Sequence, residues 1–116
     1  MYSSTAWQHA TKPQHRYEMS DADAVGHSRY PPCGDSFTIY LKLADETIQK
    51  ASFQAKSCGP VVAMGSLGCG LLVGISVDQA RKLSAFELDA ELGGLPISKR
   101  HAILMFLDAL NRALNS

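Results

Sequence analysis

Ser36-Phe37-Thr38-Ile39-Tyr40-Leu41-Lys42-Leu43 alternates without a break. Phe37, Ile39, Leu41 and Leu43 fall on one side and Thr38, Tyr40 and Lys42 on the other, the period of two that marks a half-buried strand. Asp45-Glu46 supplies a turn. Thr47 to Lys56 reads as the partner strand, with Ala51, Phe53 and Ala55 in alternation. Ile48 is out of phase with those three, which predicts a bulge near Gln49-Lys50. An antiparallel hairpin is the economical reading.

Working outward, Pro60 stands where a first helical residue should, since its missing N–H costs nothing there. That helix should run to about Val73 and stop at Gly74. Its apolar residues lie on nearly every side, so it should be largely buried. Its glycines cost roughly 1 kcal/mol each relative to alanine, a loss that close packing of another backbone is expected to offset. Ser76-Val77-Asp78-Gln79 resembles a capping box opening a short helix to Leu83. A second short helix follows from Ala85 to Leu92. Ser98 caps a last helix through Leu114, with Ile103, Phe106, Leu107, Leu110 and Leu114 as its buried stripe. Before the hairpin, Tyr2 to Thr11 forms a short helix, and Lys12 to Gly34 shows no sustained apolar period and reads as irregular. The expected fold is α+β, a small antiparallel sheet with helices packed on one face. It forms one domain over 1–116: N-terminal helix and irregular loop in 1–35, strands in 36–57, helices in 58–116.

Eleven basic residues balance eleven acidic ones. A neutral chain is a poor match for nucleic acid or an anionic membrane surface, both of which select basic proteins. The longest apolar run, Val61 to Val73, is interrupted by Gly65, Ser66, Gly68 and Gly70 and falls short of the roughly 20 residues of a membrane span. The start of the chain lacks the basic-then-apolar order of a secretory signal. Three cysteines are an odd number and do not read as a disulfide framework, which points to reduced thiols in the cytoplasm.

Two of those thiols sit at element junctions. Cys33 lies in Pro31-Pro32-Cys33-Gly34-Asp35, just before the first hairpin strand. Cys58 follows the second strand and precedes a helix, whose first-turn N–H groups favour a thiolate. In a hairpin the start of one strand lies beside the end of the next, so Cys33, Asp35 and Cys58 should converge. Burial as small apolar residues is the competing reading, and the residues alone leave the two about even. Cys69 lies roughly 16 Å along the helix from Cys58 and reads as packing. His101 stands in the first turn of the last helix, where it could face the same cluster. His9, His15 and His27 have no spacing that makes a ligand pair. Phosphate loops, nucleophile elbows and zinc-protease motifs are all missing.

These residues resemble a known family, the U-type iron–sulfur cluster assembly scaffolds, comprising IscU and the N-terminal domain of NifU. The likeness spans the chain. Tyr2-Ser3, His9 through Pro13, and Asp21-Ala22-Asp23 with Gly26 match its opening segments. Pro32-Cys33-Gly34-Asp35 matches its first ligand motif and Phe53 through Cys58-Gly59 its second. Gly74 and Asp78 through Ala80 continue in register, and Leu92-Gly93-Gly94-Leu95-Pro96 matches the approach to the third.

The resemblance implies a non-enzymatic scaffold. It would hold iron, a nascent [2Fe–2S] cluster or zinc at Cys33, Asp35, Cys58 and His101. It would take sulfur from a cysteine desulfurase and pass the cluster to recipient apo-proteins. Two departures stand out. The family's third cysteine follows the histidine, and here that residue is Ala102. The family's chaperone motif, Leu-Pro-Pro-Val-Lys, is Leu95-Pro96-Ile97-Ser98-Lys99 here, which leaves chaperone recognition open. Two thiolates, a carboxylate and an imidazole suit tetrahedral zinc, and mixed Cys and His ligation of a [2Fe–2S] cluster also occurs. An adaptor that docks a desulfurase without building clusters, or a persulfide acceptor using Cys33 or Cys58, are the alternatives.

Overall fold

The computed structural model describes residues 3–56, 59–95 and 100–115, with Cys33 described by its backbone only. The elements run α1 (Ser4–Thr11), β1 (Ala24–Tyr30), a 3-10 turn (Pro31–Cys33), β2 (Asp35–Ala44), β3 (Thr47–Lys56), α2 (Gly59–Leu72), α3 (Val77–Arg81), α4 (Ala85–Glu91) and α5 (His101–Leu114). The expected hairpin is present as β2 and β3, antiparallel, with Ser36 opposite Lys56. Asp45 and Glu46 both take positive φ, 51° and 61°, the backbone that a tight primed turn between right-twisted strands requires. The predicted bulge is real. Lys42 pairs with Lys50 while Leu43 pairs with Ile48, which leaves Gln49 as the extra residue.

The sheet has a third strand that the apolar pattern does not announce. Residues 24–30, expected to be irregular, pair antiparallel with β2 from Ala24 opposite Leu41 to Tyr30 opposite Asp35. The inward row of β1 is Ala24, Gly26 and Ser28, all buried, with the residues between them exposed. Small residues there let α5 lie directly on the strand. A Cβ on Gly26 would come 1.9 Å from the Ala109 carbonyl oxygen and 2.7 Å from the Ala113 nitrogen. Two residues on, the Ser28 hydroxyl donates to the Met105 carbonyl at 2.7 Å.

The helices cover the face that presents Phe37, Ile39, Leu41, Ala51 and Phe53, all 1% exposed or less. α2 is buried nearly all round, as expected. Gly65 and Gly68, however, make room for aromatic rings and not for another backbone. A Cβ on Gly65 would meet Phe53 and Phe37 at 2.7–2.8 Å, and one on Gly68 would meet Phe106 at 2.4 Å. Phe37 in turn stacks on Phe53 at 5.6 Å and tilts against Phe106 at 5.8 Å, so three rings fill the centre of the core. Both short helices open with reciprocal capping boxes, Ser76 with Gln79 and Ser84 with Glu87. The buried side of α5 is wider than a narrow stripe, adding Ala102, Met105, Ala109 and Ala113, while Leu107 is only partly buried. Its expected cap, Ser98, lies outside the described residues; Arg100 precedes the first turn without a side-chain cap.

Candidate metal centre

Gly34 takes φ +68° with no atom near a would-be Cβ, so its role is conformational. A left-handed residue turns the chain from the Pro31–Cys33 turn straight into β2. Tyr30 and Asp35 become cross-strand partners on either side of that turn. Both are in phase with the inward rows, Ala24-Gly26-Ser28 and Phe37-Ile39-Leu41, so both side chains are carried toward the helical layer.

There they meet His101, the first residue of α5. His101 Nε2 lies 3.0 Å from Asp35 Oδ2, with the side chains 9% and 7% exposed. An ionised carboxylate can only accept, so Nε2 carries the proton and donates it. The Tyr30 ring stacks on the imidazole with centroids 4.3 Å apart and planes 15° from parallel. Among the described residues nothing bonds His101 Nδ1. Residue 102, where the resemblance expects a third cysteine, is Ala102, 1% exposed and part of the core.

The approach to His101 is fastened at both flanks by one carboxylate. Asp89 of α4 accepts the Leu95 N–H at 3.1 Å and faces the Arg100 guanidinium at 3.4 Å. The chain entering α5 is therefore tied to α4 just before and just after residues 96–99.

Of the four sequence-predicted ligands, Asp35 and His101 are in contact. Cys33 occupies the 3-10 turn two residues before Asp35. Cys58 lies outside the described residues; it falls between the end of β3 and Gly59, the first residue of α2. Other candidates sit apart. Cys69 is fully buried and burial pushes its thiol far above the ordinary range, so it is a core residue as expected. His27 is on β1, 2.8 Å from the Thr38 hydroxyl. His9 lies 2.6 Å from the Ser66 hydroxyl of α2. Tyr30 was not foreseen. Its only signal is its phase, an aromatic three steps of two beyond Ala24, which is visible once β1 is known to be a strand.

A family model for the NifU-like N-terminal domain matches residues 1–116. The chain belongs to that family. It is 35% identical over 114 residues to the iron-sulfur cluster assembly scaffold protein IscU 1 of Archaeoglobus fulgidus, covering 98% of this chain and 74% of that protein. Identity to the IscU scaffold of Aquifex aeolicus is 30% over 115 residues, covering 97% and 73%. The nitrogen fixation protein NifU of Azotobacter chroococcum is 31% identical over 115 residues, and the match spans 37% of its length. The fold is shared with a proposed SUF-system scaffold from Fervidobacterium islandicum, at a TM-score of 0.79 and 16% identity over 97% of this chain and 96% of that one. A NifU-like N-terminal domain from Brucella abortus superposes at 0.66 with 19% identity, covering 97% and 80%. Within the family the α+β architecture is as expected, including its single-faced helical layer. None of the described helices is long and apolar enough to cross a membrane.

Proposed function

We propose that this protein is an iron–sulfur cluster assembly scaffold and not a catalyst. The observation that carries the reading is the buried Asp35–His101 pair beside the Cys33 turn, in a chain that matches the family from end to end. Cys33, Cys58 and His101 would hold iron or a nascent [2Fe–2S] cluster, with Asp35 as a further oxygen donor or as the partner of the imidazole. The same donors accept zinc in a mononuclear state. Sulfur would arrive from a cysteine desulfurase. A scaffold thiolate attacks the outer sulfur of the donor persulfide, the S–S bond breaks, and the donor leaves as its thiolate; an external reductant then delivers two electrons per sulfur, which releases the scaffold thiolate and gives the sulfide of the cluster. Recipient apo-proteins then take the finished cluster, in the cytoplasm.

Two thiolates in place of three should make the cluster more labile, which suits a protein that must give it up. The test is anaerobic purification followed by iron and acid-labile sulfide analysis, then reconstitution with iron, cysteine, a dithiol reductant and a desulfurase. Cluster absorbance that depends on Cys33 and Cys58 is the expected result. Wild-type protein that forms no cluster yet still captures the desulfurase would replace the scaffold reading with an adaptor role.

A further inference from the structure

We propose that Tyr30 is a positioning residue for the site, holding the His101 ring with Nε2 turned to Asp35 and Nδ1 as the nitrogen left to bind. The claim about metal rests on the scaffold reading above; the claim about ring orientation rests on the geometry alone.

An imidazole at a helix start has two soft torsions and two nitrogens of similar basicity. Left to itself it would sample several orientations, and either nitrogen could carry the proton. Two contacts remove that freedom here. The Asp35 carboxylate takes the Nε2 proton at 3.0 Å, which selects the tautomer and leaves the Nδ1 lone pair as the remaining donor. A single hydrogen bond still permits rotation about its own axis. The Tyr30 ring, 4.3 Å away and nearly parallel, blocks that rotation by covering one face of the imidazole. Ring and carboxylate are delivered together because Tyr30 and Asp35 are cross-strand partners. Metal-binding histidines are commonly oriented by a carboxylate on the far nitrogen. In this chain an aromatic face completes the fixing, at a site that has one thiolate fewer than the resemblance leads one to expect and so depends more on its imidazole.

Aromatic stacking and simple bulk make different demands on the side chain. Tyr30→Phe keeps a flat ring, whereas Tyr30→Leu keeps apolar bulk without one. Two readouts are taken on each variant alongside its melting temperature. One is nitrogen-15 correlation NMR of the His101 ring in metal-free protein, which reports the tautomer. The other is titration with Co2+ as the probe metal, followed by its visible absorption. Tyr30→Phe should keep a single Nε2-protonated tautomer and bind cobalt within about 2-fold of wild type. Tyr30→Leu should give averaged tautomers and bind about 10-fold more weakly, the low end of what losing an outer-shell partner costs. If the Leu variant matches the Phe variant in both readouts, or if Phe loses as much as Leu, the proposal is overturned. A wild-type protein that binds neither cobalt nor iron overturns the scaffold reading instead. The tautomer measurement, made without metal, still decides the role of Tyr30.

Discussion

Gly26→Ala adds one methyl group where the last helix rests on the first strand, and its cost can be worked from distances. The new Cβ would stand 1.9 Å from the Ala109 oxygen, where ordinary contact begins at 3.4 Å. Because the obstacle is helix backbone, no side chain can swing aside. Either α5 retreats by about 1.5 Å or β1 bends by the same amount, and overpacking of this kind costs about 1–3 kcal/mol. Retreat also stretches the 2.7 Å bond from Ser28 to Met105 toward 4 Å, past the limit for a hydrogen bond. That loss adds about 1 kcal/mol, since a buried partner is left unpaired. A total near 3 kcal/mol corresponds to a melting temperature lower by about 12 °C in a domain of this size. Thermal unfolding of metal-free protein by circular dichroism measures it. Gly70→Ala is the control from the opposite case. Its Cβ would meet only a His15 ring nitrogen at 3.8 Å, so gained helix propensity should raise stability by about 1 kcal/mol. A Gly26→Ala protein that melts within about 3 °C of wild type would refute the claim that α5 is seated on the strand by backbone contact.

Ser52 carries a buried hydroxyl with no hydrogen-bond partner among the described residues, so Ser52→Ala should leave stability unchanged or raise it by up to about 1 kcal/mol in urea unfolding; a clear loss would show that the hydroxyl is bonded. Cys69 should resist thiol-labelling reagents until the protein unfolds, because it is buried and its thiol is held protonated; mass spectrometry of the folded protein finding Cys69 modified would contradict this. Burial, and then the nearby His15, lower the pKa of His9. The unfolded chain therefore binds a proton at this site more readily than the native protein does, and stability should fall as pH drops below the ordinary imidazole value of about 6.5. His9→Asn should flatten that slope between about pH 7 and the lowered native value, and identical slopes in the two proteins would assign the effect elsewhere.

The hairpin, its bulge, the Ser76 capping box and the buried character of α2 were legible because each is local; the like box of Ser84 with Glu87 carries the same signal and went unread. A period of two, a Ser with Gln or Glu three residues later, and a Pro at a helix start carry their meaning within a few residues. β1 was not, for a reason that lies in the tertiary structure. The apolar alternation that marks β2 depends on side chains filling the gap between layers. On β1 the backbone of α5 fills that gap, so Ala24, Gly26 and Ser28 stand where larger apolar residues would otherwise be. The α2 glycines were expected to admit another backbone, but at Gly65 and Gly68 it is the rings of Phe37, Phe53 and Phe106 that approach, which sequence spacing does not distinguish from backbone. At the site, hairpin topology led to the expectation that Cys33, Asp35 and Cys58 converge, and the resemblance gave His101 as a ligand; of these, the contact that the described residues make is Asp35 with His101. Tyr30 depended on β1 and went unseen with it.

The contact between Asp35 and His101 spans 66 residues, and that between Ser28 and Met105 spans 77. The β2–β3 hairpin, by comparison, closes around a two-residue turn. Contacts this distant carry a large loop-closure cost and form late. On a ribosome, the corner between β1 and β2 that carries Tyr30 and Asp35 emerges well before α5. A chain still being synthesised thus has Tyr30 and Asp35 paired across the strands without the His101 they hold, and that contact waits for α5. Before that step the Asp35 carboxylate lacks its imidazole; after it the two side chains are buried against each other.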